Sequence, residues 1–399
     1  MEIEEYLKYT CSQLKIPRLL ESENAKAILT TLTPYVLGIS NTNEIEIYQT
    51  YSSFVYPRHI RLNSKDYIIW DNHFWDLYGH FLLIYFSRKH SQSTTKKPEH
   101  YINCCKSLLL LFLSSRFEKN PSFSRYLAEE YKIVPNKIFK YSDIENIDAK
   151  LTQIKCLEYL NIGRLFGYCH ELAHIAFEKQ NQLAQMVRNK VLEYCKDWVF
   201  CEKLSKILEN NSHSLDVAYS NAKILMENSD GKIQEEICCD IIAMYAIITY
   251  FEDQDVSSDI ICEQMGAIHY FFLFTWWLSS NERFWNMMRI VHLDPISNDC
   301  AFVDEDHPFF RFGEKLTEEL AVRTNFSYNF VSEFSKLPCY NKPLADQLIN
   351  GDFYNFLNES NCYDVMERVL QRYRVSHKDY NSGIKHLSKK NKLVGWTPK

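Results

Sequence analysis

Glycine and proline are scarce in this chain, 10 and 11 residues out of 399. So few leave little material for tight turns and rule out a Pro/Gly-rich disordered composition, so strands should be rare. The Cys-x-x-Cys spacing never occurs, and the 13 cysteines include the adjacent pairs Cys104-Cys105 and Cys238-Cys239. That usage suits thiols kept reduced better than a disulfide framework. Long apolar runs are missing too. The most apolar windows, Ser107–Ser114 and Ile268–Leu278, fall short of the roughly 20 residues that span a bilayer. A basic excess is also absent. The net charge of −6 gives no reason to expect general nucleic-acid binding. The local exception is the tail holding Lys385, Lys389, Lys390, Lys392 and Lys399, whose ordinary reading is a solvated end. Met1-Glu2-Ile3-Glu4-Glu5 is acidic with no apolar segment behind it, unlike a secretory leader, so a cytoplasmic location is expected.

What is present is apolar and aromatic. Hydrophobic residues at 46% and aromatics at 15% exclude a disordered chain, and 399 residues can bury a large core in one to three domains. The patterning predicts a mainly α fold (α+β), with helices and one small β-hairpin. The chain divides into an N-terminal helical segment (1–54), a central domain (55–325) and a C-terminal helical region with its basic tail (326–399).

The stretch that carries chemistry is Cys169-His170-Glu171-Leu172-Ala173-His174. Leu165, Phe166, Cys169, Leu172, Ala173, Ala176 and Phe177 recur at helical spacing around it. Positions i and i+4 share a helix face, so His170 and His174 can coordinate one divalent metal. Glu171 lies about 100° round the helix, where it can take a proton from an attacking water. A second helix begins after Ser229-Asp230-Gly231 and carries Ile237, Ile241, Met244, Tyr245 and Ile248 as its apolar stripe. Glu236 and Asp240, four apart, leave one face of it. One carboxylate can bind the metal while the other accepts the free N–H of a ligating histidine. Glu235 has only Cys239 at the matching position, so Glu236 is the preferred ligand.

His170-Glu171-x-x-His174, followed some sixty residues later by Glu236-x-x-x-Asp240, resembles the gluzincin branch of the zincin metallopeptidases. The pattern looks similar to the phage-exclusion Lit-type peptidases and to the HtpX and CAAX-endopeptidase enzymes, without the membrane spans of the latter two. The resemblance implies one Zn2+ per chain held by His170, His174 and Glu236, with Glu171 as general base and Asp240 supporting the site. It further implies that His307-Pro308-x-x-Arg311 matches the His-Pro and following Arg that trail the second ligand helix. His307 could then donate a hydrogen bond to a developing oxyanion; the alternative is a structural histidine before a proline at the first helical position.

The rest of the chain carries no comparable motif. Helices are expected over Glu2–Leu14 and Ser22–Leu37, then strands at Val55–Leu62 and Tyr67–Trp70 joined by Asn63-Ser64-Lys65-Asp66. Tyr67–Trp70 could hold an extended substrate by strand addition, or be plain structure. Further helices are expected at Phe74–Lys89, Tyr101–Phe117, Phe123–Tyr131, about Leu183–Leu208, Ile260–Leu278 and Phe309–Thr324, with a polar loop at His90–His100. The aromatic stripe of Ile260–Leu278 is expected in the core, and His269 with it.

The function this pattern predicts is a zinc-dependent endopeptidase acting on a specific intracellular protein or peptide, in phage defence or a stress response if the resemblance holds. Two alternatives differ in class. One is a catalytically silent zincin-shaped module that binds a protein partner. The other is thiol chemistry at Cys169 or Cys238-Cys239, where core packing is the commoner role.

Overall fold

The sheet forms because a few short segments alternate apolar and polar residues, and one turn permits reversal. Asn63 and Ser64 take positive φ of 51° and 66°, the pairing a two-residue type I′ hairpin turn needs. They join strands β3 (Arg58–Leu62) and β4 (Lys65–Asp71). The predicted four-residue turn is thus half as long, with Lys65 and Asp66 already in the strand. Strand β2 (Ile45–Thr50) runs parallel to β4 on its other side, and a two-residue β1 (Arg18–Leu19) pairs antiparallel with β2. The order β1-β2-β4-β3 makes a small mixed sheet with β3 at its edge. Strand β4 is paired on both sides, so Tyr67–Trp70 has no free edge for a substrate.

The computed structural model describes residues 3, 5, 18–19, 23–38, 45–50, 57–90, 98–116, 121–135, 139, 149–179, 181–194, 232–293, 323, 352–365 and 368–372. It is mainly helical. In order come α1 (Glu23–Leu37), α2 (Asn72–His90), α3 (Pro98–Arg116), α4 (Pro121–Ile133), α5 (Ala149–Glu178), α6 (Gln182–Tyr194), α7 (Lys232–Asp253), α8 (Ser258–Leu293) and α9 (Asp352–Glu359). Helix α1 ends at Gly38, whose φ of +65° fits the left-handed position after a helix. Asp71 closes β4 and accepts the N–H of His73 at 2.8 Å, capping α2 directly off the sheet. Strand β2 was absent from the helical reading of 1–54, although Ile45 and Ile47 alternate into the core. Helix α8 runs fifteen residues past the predicted Leu278. Ser279-Ser280-Asn281-Glu282 looks like a stop, but Asn281 is buried, donates to the Trp277 carbonyl at 2.9 Å and accepts Cys362 N–H at 3.4 Å. Tertiary contacts override the local polar signal there.

Helix α5 is the axis of the molecule, packed against α1, α2, α7 and α8. Glycines at two successive turns allow the approach. A Cβ on Gly163 would stand 2.8 Å from the Tyr78 ring, and one on Gly167 3.1 Å from Trp75. Trp75 stacks on Trp70 (centroids 4.7 Å apart) and on Phe271 (5.5 Å), so sheet, α2 and α8 meet over this flat face of α5. Phe272, Phe274 and Trp277 are buried, as is His269, in keeping with the core role expected of that stripe. Seven of the described cysteines are free and buried; the departure from wholly reduced thiols is Cys262, which is disulfide-bonded. Among the described residues no helix is long and apolar enough to cross a membrane.

Candidate metal centre

Two parallel facts of helix geometry build the site. On α5, His170 and His174 lie one turn apart with ring centroids 5.0 Å from each other. On α7, Glu235, Glu236, Cys239 and Asp240 occupy two neighbouring i, i+4 rows, and α7 packs along α5. The two helices therefore meet as a row of imidazoles facing a row of carboxylates.

The outer nitrogens face one residue. His170 Nε2 is 3.3 Å from Glu236 Oε2, and His174 Nε2 is 3.6 Å from Glu236 Oε1. Bonds of about 2.0–2.1 Å in a tetrahedral zinc site place neighbouring ligand atoms about 3.3 Å apart. These separations are long for hydrogen bonds and match that edge, and the three residues form a group that could hold a metal ion.

The inner nitrogens are held from behind. His174 Nδ1 is 3.0 Å from Glu235 Oε1, and Cys239 Sγ is 3.5 Å from the same nitrogen. His170 Nδ1 is 2.9 Å from Asp240 Oδ1, with the donor direction off the ideal hydrogen-bond line. A carboxylate on the far nitrogen fixes the tautomer that offers Nε2 to a metal. Glu235 thus stands behind His174 rather than in Glu236's place. Its signal was present: it starts an i, i+4 row beside the ligand row.

Charge at the site favours a cation. Burial by itself would lower the His170 pKa, but Asp240 and Glu236 outweigh it and carry it up to about 10. Burial pushes Glu236 upward, yet Arg323 and the two histidines hold its carboxyl far below the usual range. Burial raises the Glu171 carboxyl, only partly opposed by His170 and His174. Glu171 is 7% exposed and turns toward the sheet, where Oε2 accepts the backbone N–H of His59 in β3 at 2.5 Å.

A cavity of about 590 Å³ opens over these groups, walled by Phe74, Phe166, Phe271 and Phe272 on one side and by Arg58 and His59 on the other. Carboxylates of Glu171, Glu178, Glu236, Asp240 and Glu282 outnumber the guanidiniums of Arg58 and Arg323 along it. The hairpin is tied to the end of α5 by ion pairs: buried Asp66 contacts His59 Nε2 at 3.0 Å and Lys179 at 3.2 Å, and Arg61 reaches Glu178 at 3.3 Å. His59, Asp66 and Glu178 could also group round a metal, but Lys179 and Arg61 already supply the opposite charge. This cluster is a lock that keeps β3 beside Glu171.

The residues expected from the sequence are brought together in four cases: His170, His174, Glu236 and Asp240, with Glu171 adjoining. His307, Pro308 and Arg311 lie outside the described residues. Arg323 was missed; it contacts both Glu236 and Asp240, and no spacing rule ties it to either helix. No protein-family model, curated protein or solved structure matches this chain.

Proposed function

We propose that this protein is a zinc-dependent endopeptidase. The observation that carries the reading is the pairing of a three-residue metal group, His170, His174 and Glu236, with a buried carboxylate, Glu171, on the cavity wall. Three protein ligands are what catalytic zinc sites use, leaving the remaining position for water. When bound, zinc would supply a Lewis acid for the scissile carbonyl and lower the pKa of water.

The chain's own groups supply the rest. Glu171, whose carboxyl burial raises, is placed to accept a proton from the attacking water and return it to the leaving amine. Glu235 and Asp240 keep the imidazoles turned with Nε2 outward. Edge strand β3 pairs with β4 alone among the described strands and runs past Glu171, which accepts its His59 N–H. An extended peptide laid along it would gain backbone hydrogen bonds, and its side chains would reach the phenylalanine wall. The substrate this favours is an unfolded or extended segment of a protein with an apolar residue near the cleaved bond.

The alternative, a silent module that binds a partner in the same cavity, does not require an acid–base group such as Glu171. One experiment separates the two. Zinc-loaded wild type and Glu171→Gln are incubated with a cell extract, and new protein N-termini are sequenced. Peptidase action yields termini seen only with wild type, while identical sets from both proteins would sink the reading.

A further inference from the structure

Eight large hydrophobic side chains are exposed among the described residues, and three of them share one stretch of α5. They are Leu151, Ile154 and Leu157, exposed to 40%, 42% and 58%. Apolar side chains scattered singly over a surface need no explanation. These three differ, because a spacing of three residues sets them side by side on one helix face. Thr152 and Cys156 of the same turns are buried, so this face is the outer one. Ile154 and His170 lie on the same helix, about 24 Å apart along it at 1.5 Å per residue, so the face and the cavity are separate surfaces.

The face is complementary to itself about Ile154. Leu151 and Leu157 stand three residues before and after it, and Lys150 and Glu158 stand four before and after. A twofold axis through Ile154, perpendicular to the helix, would run a second α5 antiparallel to the first. Every residue then faces the one equally far on the other side of Ile154 in the second copy. Ile154 meets itself, Leu151 meets Leu157, and Lys150 meets Glu158, the last two contacts each formed twice. A parallel pairing would instead set lysine on lysine and glutamate on glutamate, which like charges oppose. Glu158 also lies 3.4 Å from Lys155 of its own helix. That contact can persist, since a carboxylate accepts from several donors.

We propose that this outer face of α5 is a homodimer interface, formed by two copies of the chain packed antiparallel about Ile154. A partner of different sequence would have no need of the matched order lysine, leucine, isoleucine, leucine, glutamate; a second copy does. The inference does not draw on the metal site and stands or falls without it.

Sedimentation equilibrium of the wild type is expected to show monomer passing to dimer as concentration rises. Ile154→Cys locates the axis, because only a residue on a twofold axis sits against its own copy. Mild oxidation should link residue 154 to residue 154, identified by mass spectrometry of a digest, with the wild type as control for the native cysteines. Leu151→Cys should not link to itself, but should link to Leu157→Cys when the two variants are mixed. Glu158→Lys should weaken the dimer about tenfold by opposing like charges at both ends, and adding Lys150→Glu should restore it. Circular dichroism checks the fold of each variant. A chain that is monomeric at every concentration overturns the proposal. So does a dimer that neither forms the 154–154 link nor responds to Glu158→Lys, which would place the contact on another face.

Discussion

At the scale of residues, the site is a division of labour among carboxylates that differ only in what they face. Glu236 looks at two Nε2 atoms, Glu235 and Asp240 at two Nδ1 atoms, and Glu171 at a backbone N–H across the cavity. Replacing Glu171 by Gln should leave about one zinc per chain but lower hydrolysis by about 10²–10⁴-fold, the usual contribution of a general base. A single-turnover assay on an identified substrate checks it. Glu235→Gln should retain the site and weaken zinc binding by about 10–100-fold, the common effect of removing a ligand's supporting group. Competition with a chromophoric chelator reads that out, and unchanged affinity would remove Glu235 from the account. His170, Glu171 and His174 were legible because one helix sets their relation. Glu235 was harder, since adjacent positions on α7 diverge by about 100° and only the placement of α5 assigns each its own imidazole nitrogen. Arg323 was not legible at all, because the contact depends on where a remote segment returns.

Elements carry the precision that residues use. Helix α5 can present His170 and His174 to α7 while packing its other faces because Gly163 and Gly167 admit the rings of Tyr78 and Trp75. Gly163→Ala tests that. A methyl 2.8 Å from the Tyr78 ring forces a shift in an aromatic cluster that includes Phe271 and Phe274. Overpacking of this kind costs about 1–3 kcal/mol, against about 1 kcal/mol gained from helix propensity. The net expectation is a loss of about 1 kcal/mol in denaturant unfolding; a gain would mean that the glycine is not needed for packing. Long helices were readable from their apolar spacing, and the hairpin from its turn residues. The full length of α8 and the presence of β2 were not. The first is set by a buried Asn281 that reads as polar punctuation, the second by pairing with β4, a partner some twenty residues away.

On the scale of the whole molecule, the metal would join two of the helices that pack around the core. Both histidines come from α5 and Glu236 from α7, so ligand binding and helix packing are coupled. A ligand that binds only the folded chain stabilises it by about 2.7 kcal/mol at a free concentration 100 times its dissociation constant. Removal of zinc by a chelator should therefore lower the melting temperature, and re-addition should restore it. A melting curve indifferent to both would argue that the triad holds no ion in solution.

The most direct test of the central claim is elemental analysis of the purified wild type beside Glu236→Ala. The account predicts about one zinc per chain in the first and little or none in the second, with both proteins folded. A wild type that contains no metal and takes up none when zinc is supplied would contradict it.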